Sequence, residues 1–138
     1  MIEGIGIDMI EVERVAEKVG KNSGFRELVF SPAEIQYCEA KANKYEHYAA
    51  RFAVKEAFLK AVGTGWINEF NLNEIEVQHD ERGKPYLFFS GNTGEEVKKR
   101  RFGQVTVSLS HLKNIASAIV IIETSSDLPS QSTFPPIH

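Results

Sequence analysis

Tyr48-Ala-Ala-Arg51-Phe-Ala-Val-Lys55-Glu56-Ala-Phe-Leu-Lys60-Ala-Val62 is the stretch on which the fold turns. Its apolar residues cover most of a helical circumference instead of one stripe, which marks a helix enclosed by the rest of the chain. Gly63 and Gly65 stop it. Arg51, Lys55, Glu56 and Lys60 are its only long charged side chains. Helical spacing puts Arg51 with Lys55 on one face and Glu56 with Lys60 on another. On a wet helix Glu56 and Lys60 would simply be a solvated ion pair. On an enclosed helix each charge needs a partner or a ligand. A carboxylate among cations suits Mg²⁺ and phosphate together, because magnesium binds through one or two carboxylates plus substrate phosphates.

Upstream, Ser31-Pro32-Ala33-Glu34 opens a helix: serine caps free donors, proline fits the first turn and glutamate completes a capping box. It is expected to run to about Ala42, with a polar break over Lys41–Glu46. Phe25–Phe30 reads as a short amphipathic turn or helix. Before it, Val12, Val15, Ala16 and Val19 form an apolar helical stripe, and Arg14, Lys18 and Lys21 fall on the opposite side. Ile2–Ile10 is a strand interrupted by Gly4 and Gly6, with Ile5 and Ile7 on one face and Asp8 near its end.

Downstream, Asn73–His79 and Pro85–Phe89 flank the turn-rich Asp80-Glu81-Arg82-Gly83-Lys84 and read as a hairpin. Gly94–Phe102 is expected to be a basic surface helix. Val105–Leu109 alternates as a half-buried strand. Ile115–Ile122, apolar on both faces, has the composition of a central strand. From Thr124 the chain turns to Ser, Pro and Thr. The expectation is an α+β domain over residues 1–123, an antiparallel sheet packed around a long buried helix. Residues 124–138 are expected to form a disordered tail.

A chain of 138 residues with 42% hydrophobic and 25% charged residues has the make-up of one folded domain. Its net charge of −3 argues against general affinity for nucleic acid or an anionic membrane. Cys38 stands alone, so an internal disulfide is excluded and a reducing, cytoplasmic setting is expected. The N-terminus lacks the basic region of a signal peptide, and the longest apolar run, Ala118–Ile122, is too short for a membrane span.

Asp8 reads either as a cap for the following helix or as a second carboxylate beside Glu56. Gly4-x-Gly6 lacks the third glycine of a dinucleotide-binding turn. His111 follows Ser108 and Ser110 on a strand, sheltered on the Leu109 side. No zinc spacing surrounds it, and His47, His79 and His138 look incidental.

Four segments then occur in order: Gly4-Ile-Gly6-Ile-Asp8-Met-Ile-Glu11-Val-Glu13-Arg14; Arg51-Phe-Ala-Val-Lys55-Glu56-Ala-Phe-Leu-Lys60-Ala-Val-Gly63-Thr-Gly65; Gly83-Lys84-Pro85; and Ser108-Leu-Ser110-His111. Together they closely resemble the signature of the holo-acyl-carrier-protein synthases, the small bacterial class of 4'-phosphopantetheinyl transferase. The resemblance runs from about Ile2 to Glu123. It implies transfer of phosphopantetheine from coenzyme A to a serine hydroxyl of acyl carrier protein, with release of adenosine 3',5'-bisphosphate, in support of fatty acid biosynthesis. It also implies that Asp8 and Glu56 hold Mg²⁺ beside the pyrophosphate, and that Lys60 neutralises or protonates the leaving phosphate. Arg51, Lys84 and His111 match positions contacting coenzyme A, together with Ser110 and Gly83. Gly63, Gly65 and Pro85 would let backbone approach the ligand.

The proton acceptor is left open among Glu56, a magnesium-bound water and His111. Some relatives carry an acidic residue after the histidine; Leu112 removes that possibility here. The resemblance further implies carrier docking on Arg14, Lys18, Lys21, Phe25 and Arg26, although a wet helix face explains the basic stripe equally well. It implies a homotrimer with sites at subunit boundaries. Two other readings compete: a small nucleotide hydrolase that needs no carrier, and a non-catalytic module in which the charged helix is structural.

Overall fold

The computed structural model describes residues 1–63 and 69–125. Its elements are β1 (Ile2–Glu11), α1 (Val12–Gly20), α2 (Phe25–Val29), α3 (Pro32–Glu39), α4 (Lys44–Val62), β2 (Ile75–His79), β3 (Pro85–Phe89), α5 (Gly91–Arg100), β4 (Phe102–His111) and β5 (Ile115–Thr124). A short 3₁₀ turn, Leu72–Glu74, precedes β2.

The enclosed helix is α4. Ala49, Ala50, Ala53, Val54, Ala57 and Phe58 are all fully buried along it. β5 lies at the centre of a three-stranded antiparallel sheet ordered β1-β5-β4, as its apolar composition predicts. β2 and β3 form the expected hairpin but pair only with each other, so the strands make two antiparallel sheets around α4 and not one.

Glycines set how closely α4 approaches β1. A Cβ on Gly6 would lie 2.0 Å from the Ala57 carbonyl oxygen, and one on Gly4 would lie 2.1 Å from that of Ala61. The Gly-x-Gly pair therefore has a packing role, as flat ground on which a helix backbone rests. Its consequence is an orientation opposite to the usual one for apolar strand residues. Gly4 and Gly6 face the helix, while Ile5, Ile7 and Met9 point outward and are 59%, 62% and 66% exposed. β5 completes this outer surface with Ile121 opposite Ile5 and Ile119 opposite Ile7.

Several boundaries differ from expectation. α3 stops at Glu39 and α4 starts at Lys44, so the second half of the anticipated polar break, Lys44–Glu46, is helical. α5 begins at Gly91 and ends at Arg100; Arg101 adopts a left-handed conformation (φ 55°) and Phe102 already belongs to β4. Thr124 closes β5 and is not part of a tail. Gly65 and residues 126–138 lie outside the described residues.

A buried ion pair ties the helical layer to the hairpin. Lys55 on α4 is fully buried and donates to Glu34 Oε1 at 2.8 Å, to the Leu72 carbonyl at 2.9 Å and to the Ile75 carbonyl. Glu34 accepts from the Val77 backbone N–H at 2.9 Å and closes the α3 capping box with Ser31. Both charges are thus fully hydrogen-bonded, the condition under which burial of an ion pair is tolerated.

Candidate active site

Because β1 rests directly on α4, Asp8 in the second half of β1 meets Glu56 and Lys60 on α4. Lys60 Nζ donates to Asp8 Oδ1 and to the Ile7 carbonyl, each at 3.0 Å. Glu56 is half-buried. Burial first, and the Asp8 carboxylate second, raise its proton affinity above the ordinary glutamate range, while Lys60 and Lys18 oppose the shift. The competing reading of Asp8 as a helix cap fails, since α1 has Glu11 in the capping position without a side-chain cap. Asp8 and Glu56 instead line one cleft of about 380 Å³ with Arg14, Lys18, Phe52 and Ile115.

Two neighbouring carboxylates, with Asp8 raising the proton affinity of Glu56, form a hard-oxygen donor pair that suits a divalent cation. The donor set fits Mg²⁺. Among the described residues no cluster of three or more His, Cys, Asp or Glu side chains forms a metal cage.

A second cleft, of about 240 Å³, shares no lining residue with the first. Arg51, His111, Gly83 and Pro85 line it, so four of the residues expected to contact coenzyme A converge there. Arg51 is buried, its guanidinium lies 4.2 Å above the Tyr37 ring, and its Nε has no acceptor among the described residues. A buried cation without a carboxylate partner is a place for an anionic ligand. His47 and His79, read as incidental, also line this cleft. Burial, with Arg51 nearby, lowers the proton affinity of both imidazoles below the ordinary histidine range. Their sequence neighbourhood carries no motif; only the approach of α3, α4 and β2 unites them.

The remaining expected residues are dispersed. Lys84 follows a turn in which Asp80 Oδ1 accepts from the Arg82 and Lys84 backbone N–H groups, and it does not line the second cleft. Ser110 is exposed on the outer sheet face with Ile7, Ser108 and Ile119. Gly63 caps α4 in the left-handed conformation at φ 87°. Of the residues expected to dock the carrier, Arg14 and Lys18 open onto the cleft of Asp8 and Glu56, and Lys18 also lies 5.6 Å above the Phe25 ring. Lys21 is exposed beyond them. Arg26 is bound by Glu27 at 2.7 Å and Glu39 at 3.4 Å, which leaves it less charge to offer a partner.

Comparison with known proteins bears on this geometry. The profile of the 4'-phosphopantetheinyl transferase superfamily matches residues 4–119. A holo-[acyl-carrier-protein] synthase from Cytophaga hutchinsonii is 52% identical over 124 residues, covering 88% of this chain and 97% of the relative. The crystal structure of a holo-[acyl-carrier-protein] synthase from Neisseria meningitidis superposes with a TM-score of 0.82 at 30% identity, covering 90% of this chain and all of that one. A Bacillus anthracis holo-(acyl-carrier-protein) synthase in complex with CoA (3',5'-ADP) superposes with a TM-score of 0.75 at 38% identity, covering 91% and 99% of the two chains.

Proposed function

The chain belongs to the 4'-phosphopantetheinyl transferase superfamily and is an enzyme that moves the phosphopantetheine arm of coenzyme A to acyl carrier protein; from that premise we propose how its residues divide the work. Asp8 and Glu56 hold Mg²⁺ against the coenzyme A pyrophosphate. The observation that carries this reading is the meeting of Asp8, Glu56 and Lys60 in and beside one cleft, with Glu56 held at raised proton affinity. When bound, Mg²⁺ supplies Lewis-acid stabilisation of the charge that gathers on the pyrophosphate.

Lys60 is fixed through two of its three N–H donors, and its side chain is 56% exposed. The third donor is therefore available to a phosphate oxygen, where a fixed cation lowers the barrier to charge transfer onto the leaving group. Arg51 and His111, in the second cleft, take the anionic, adenine-bearing end of coenzyme A. Arg14 and Lys18, exposed at the rim of the metal cleft, meet the acidic carrier and bring its serine to the phosphorus.

The two clefts share no residue, yet one coenzyme A must engage both. An assembly in which the metal cleft of one subunit faces the Arg51 cleft of the next resolves this. The outward Ile5, Ile7, Met9, Ile119 and Ile121 support it, because an apolar sheet face of this kind marks an interface. We read the enzyme as a homotrimer with sites at subunit boundaries, working in the cytoplasm in fatty acid biosynthesis. Among the described residues no helix is long and apolar enough to cross a membrane.

Intact-mass analysis of apo-acyl carrier protein, incubated with coenzyme A and this protein with and without Mg²⁺, tests the reading. The expected result is a gain of one phosphopantetheine only when the metal is present. Equal gain after complete chelation removes the metal role. Release of product from coenzyme A without a carrier would favour a hydrolase instead.

A further inference from the structure

Beside the second cleft, His111 makes a carboxylate–imidazole contact that has no assigned part in the reaction. Glu46 Oε1 lies 2.8 Å from His111 Nδ1, although the two residues are 65 positions apart. Both side chains are partly buried, at 20% and 25% exposure, so the contact is sheltered without being sealed. Glu46 sits in the first turn of α4, where the helix dipole favours a negative charge. His111 ends β4.

We propose that Glu46 is a positioning residue for His111, fixing which ring nitrogen faces coenzyme A. An ionised carboxylate only accepts hydrogen bonds, so the contact places a proton on Nδ1. The other nitrogen, Nε2, is then the one presented to the cleft that Arg51, Gly83 and Pro85 line. A free imidazole would sample other ring orientations and both tautomers; Glu46 removes that freedom before the ligand arrives. The His47 ring packs edge-on against His111 at 4.9 Å and limits the remaining rotation. Leu112 offers no carboxylate from the next position in sequence, and α4 supplies one across the fold.

The groups facing His111 are Glu46, His47 and Arg51 from α4, Tyr37 from α3 and His79 from β2. Lys41, stacked on Tyr37, and Asp80, beside His79, complete the charged surroundings. Glu46 is the only one of these in hydrogen-bond contact with the His111 ring among the described residues.

The inference rests on the reading that His111 contacts coenzyme A, and its test separates the two. Imidazole ¹⁵N chemical shifts of His111 should report the Nδ1-protonated tautomer in the unmodified protein at pH 8. In Glu46→Ala they should move to the Nε2-protonated form that free histidine prefers. Coenzyme A binding to Glu46→Ala and to His111→Ala should each weaken about tenfold, and Glu46→Gln, whose amide oxygen can still accept from Nδ1, should recover most of the loss. An Nε2-protonated tautomer in the unmodified protein would overturn the proposal. So would coenzyme A affinity unchanged in Glu46→Ala but lost in His111→Ala. Unchanged affinity in His111→Ala would remove the underlying reading instead, and the tautomer measurement would still decide the geometry.

Discussion

Replacing Gly6 by alanine should damage catalysis far more than it damages the fold. The added Cβ would lie 2.0 Å from the Ala57 carbonyl oxygen and 2.7 Å from the Ala61 nitrogen, whereas real Cβ contacts essentially never fall below 3.0 Å. Neither obstacle is a flexible side chain; both are α4 backbone. β1 must therefore retreat from α4 by about 1 Å, and Asp8, two residues along, moves with it. Overpacking of this kind costs about 1–3 kcal/mol of stability, a loss that a domain of this size survives. The same displacement separates Asp8 from Glu56 and loosens its 3.0 Å contact with Lys60. A misplacement of ~1 Å in a reacting constellation costs on the order of 100-fold in rate. Urea unfolding and intact-mass transfer rates on the same preparation measure the two effects. Gly20→Ala is the control: its Cβ would meet only the Tyr45 hydroxyl at 3.9 Å, so transfer should be unchanged and stability equal or higher. A folded Gly6→Ala protein with an undiminished transfer rate would show that the approach of β1 to α4 does not set the position Asp8 needs.

Other perturbations isolate other parts of the account. Lys55→Met leaves Glu34 charged and buried without its cation and should cost about 3–5 kcal/mol in urea unfolding. Adding Glu34→Leu should recover part of that loss; a single mutant within 1 kcal/mol of the parent would contradict the buried-pair assignment. Glu56→Gln and Arg51→Met should each be inactive alone. Unfolded and refolded together as an equal mixture, they should regain about a quarter of full transfer if sites form between subunits. No regain would place both clefts of a working site in one chain. Arg14→Glu should weaken carrier binding, read by titration calorimetry, and leave coenzyme A affinity unchanged. His47 and His79 bind protons less readily in the folded state than when unfolded. The unfolded chain therefore takes up protons first, and their contribution to stability is whole above about pH 7 and lost as pH falls through the histidine range. Unfolding midpoints at pH 7.5 and 5.5 should differ less in the His47→Gln, His79→Gln double variant than in the parent.

The sequence discloses what is periodic or contiguous. The enclosure of α4 follows from its all-round apolar composition, and the α3 start follows from Ser31, Pro32 and Glu34, whose capping box is fully formed. The proposed metal pair is legible only in part. Glu56 stands out because a charge on an enclosed helix demands an explanation, but Asp8 alone is ambiguous between a cap and a ligand. Its true neighbour is set by how closely β1 approaches α4, which the glycines control through atoms they lack. For the same reason Ile5 and Ile7 do not announce that they face outward. Alternation gives two faces and does not say which one meets the helix. Glu46 escapes because it falls in a polar segment that reads as a break, and its partner His111 is reached only when β4 folds across α4. His47, His79 and Tyr37 likewise become a site only in three dimensions.

Transfer is proposed to depend on a metal that Asp8 and Glu56 hold jointly. Mg²⁺ titrations of the transfer rate, measured by intact mass for the parent, Asp8→Ala and Glu56→Ala proteins, test it most directly. Both variants should stay folded by circular dichroism, lose at least about 100-fold in rate, and fail to recover as Mg²⁺ is raised. A folded variant of either residue that keeps the parent's rate and the parent's Mg²⁺ dependence would contradict the account.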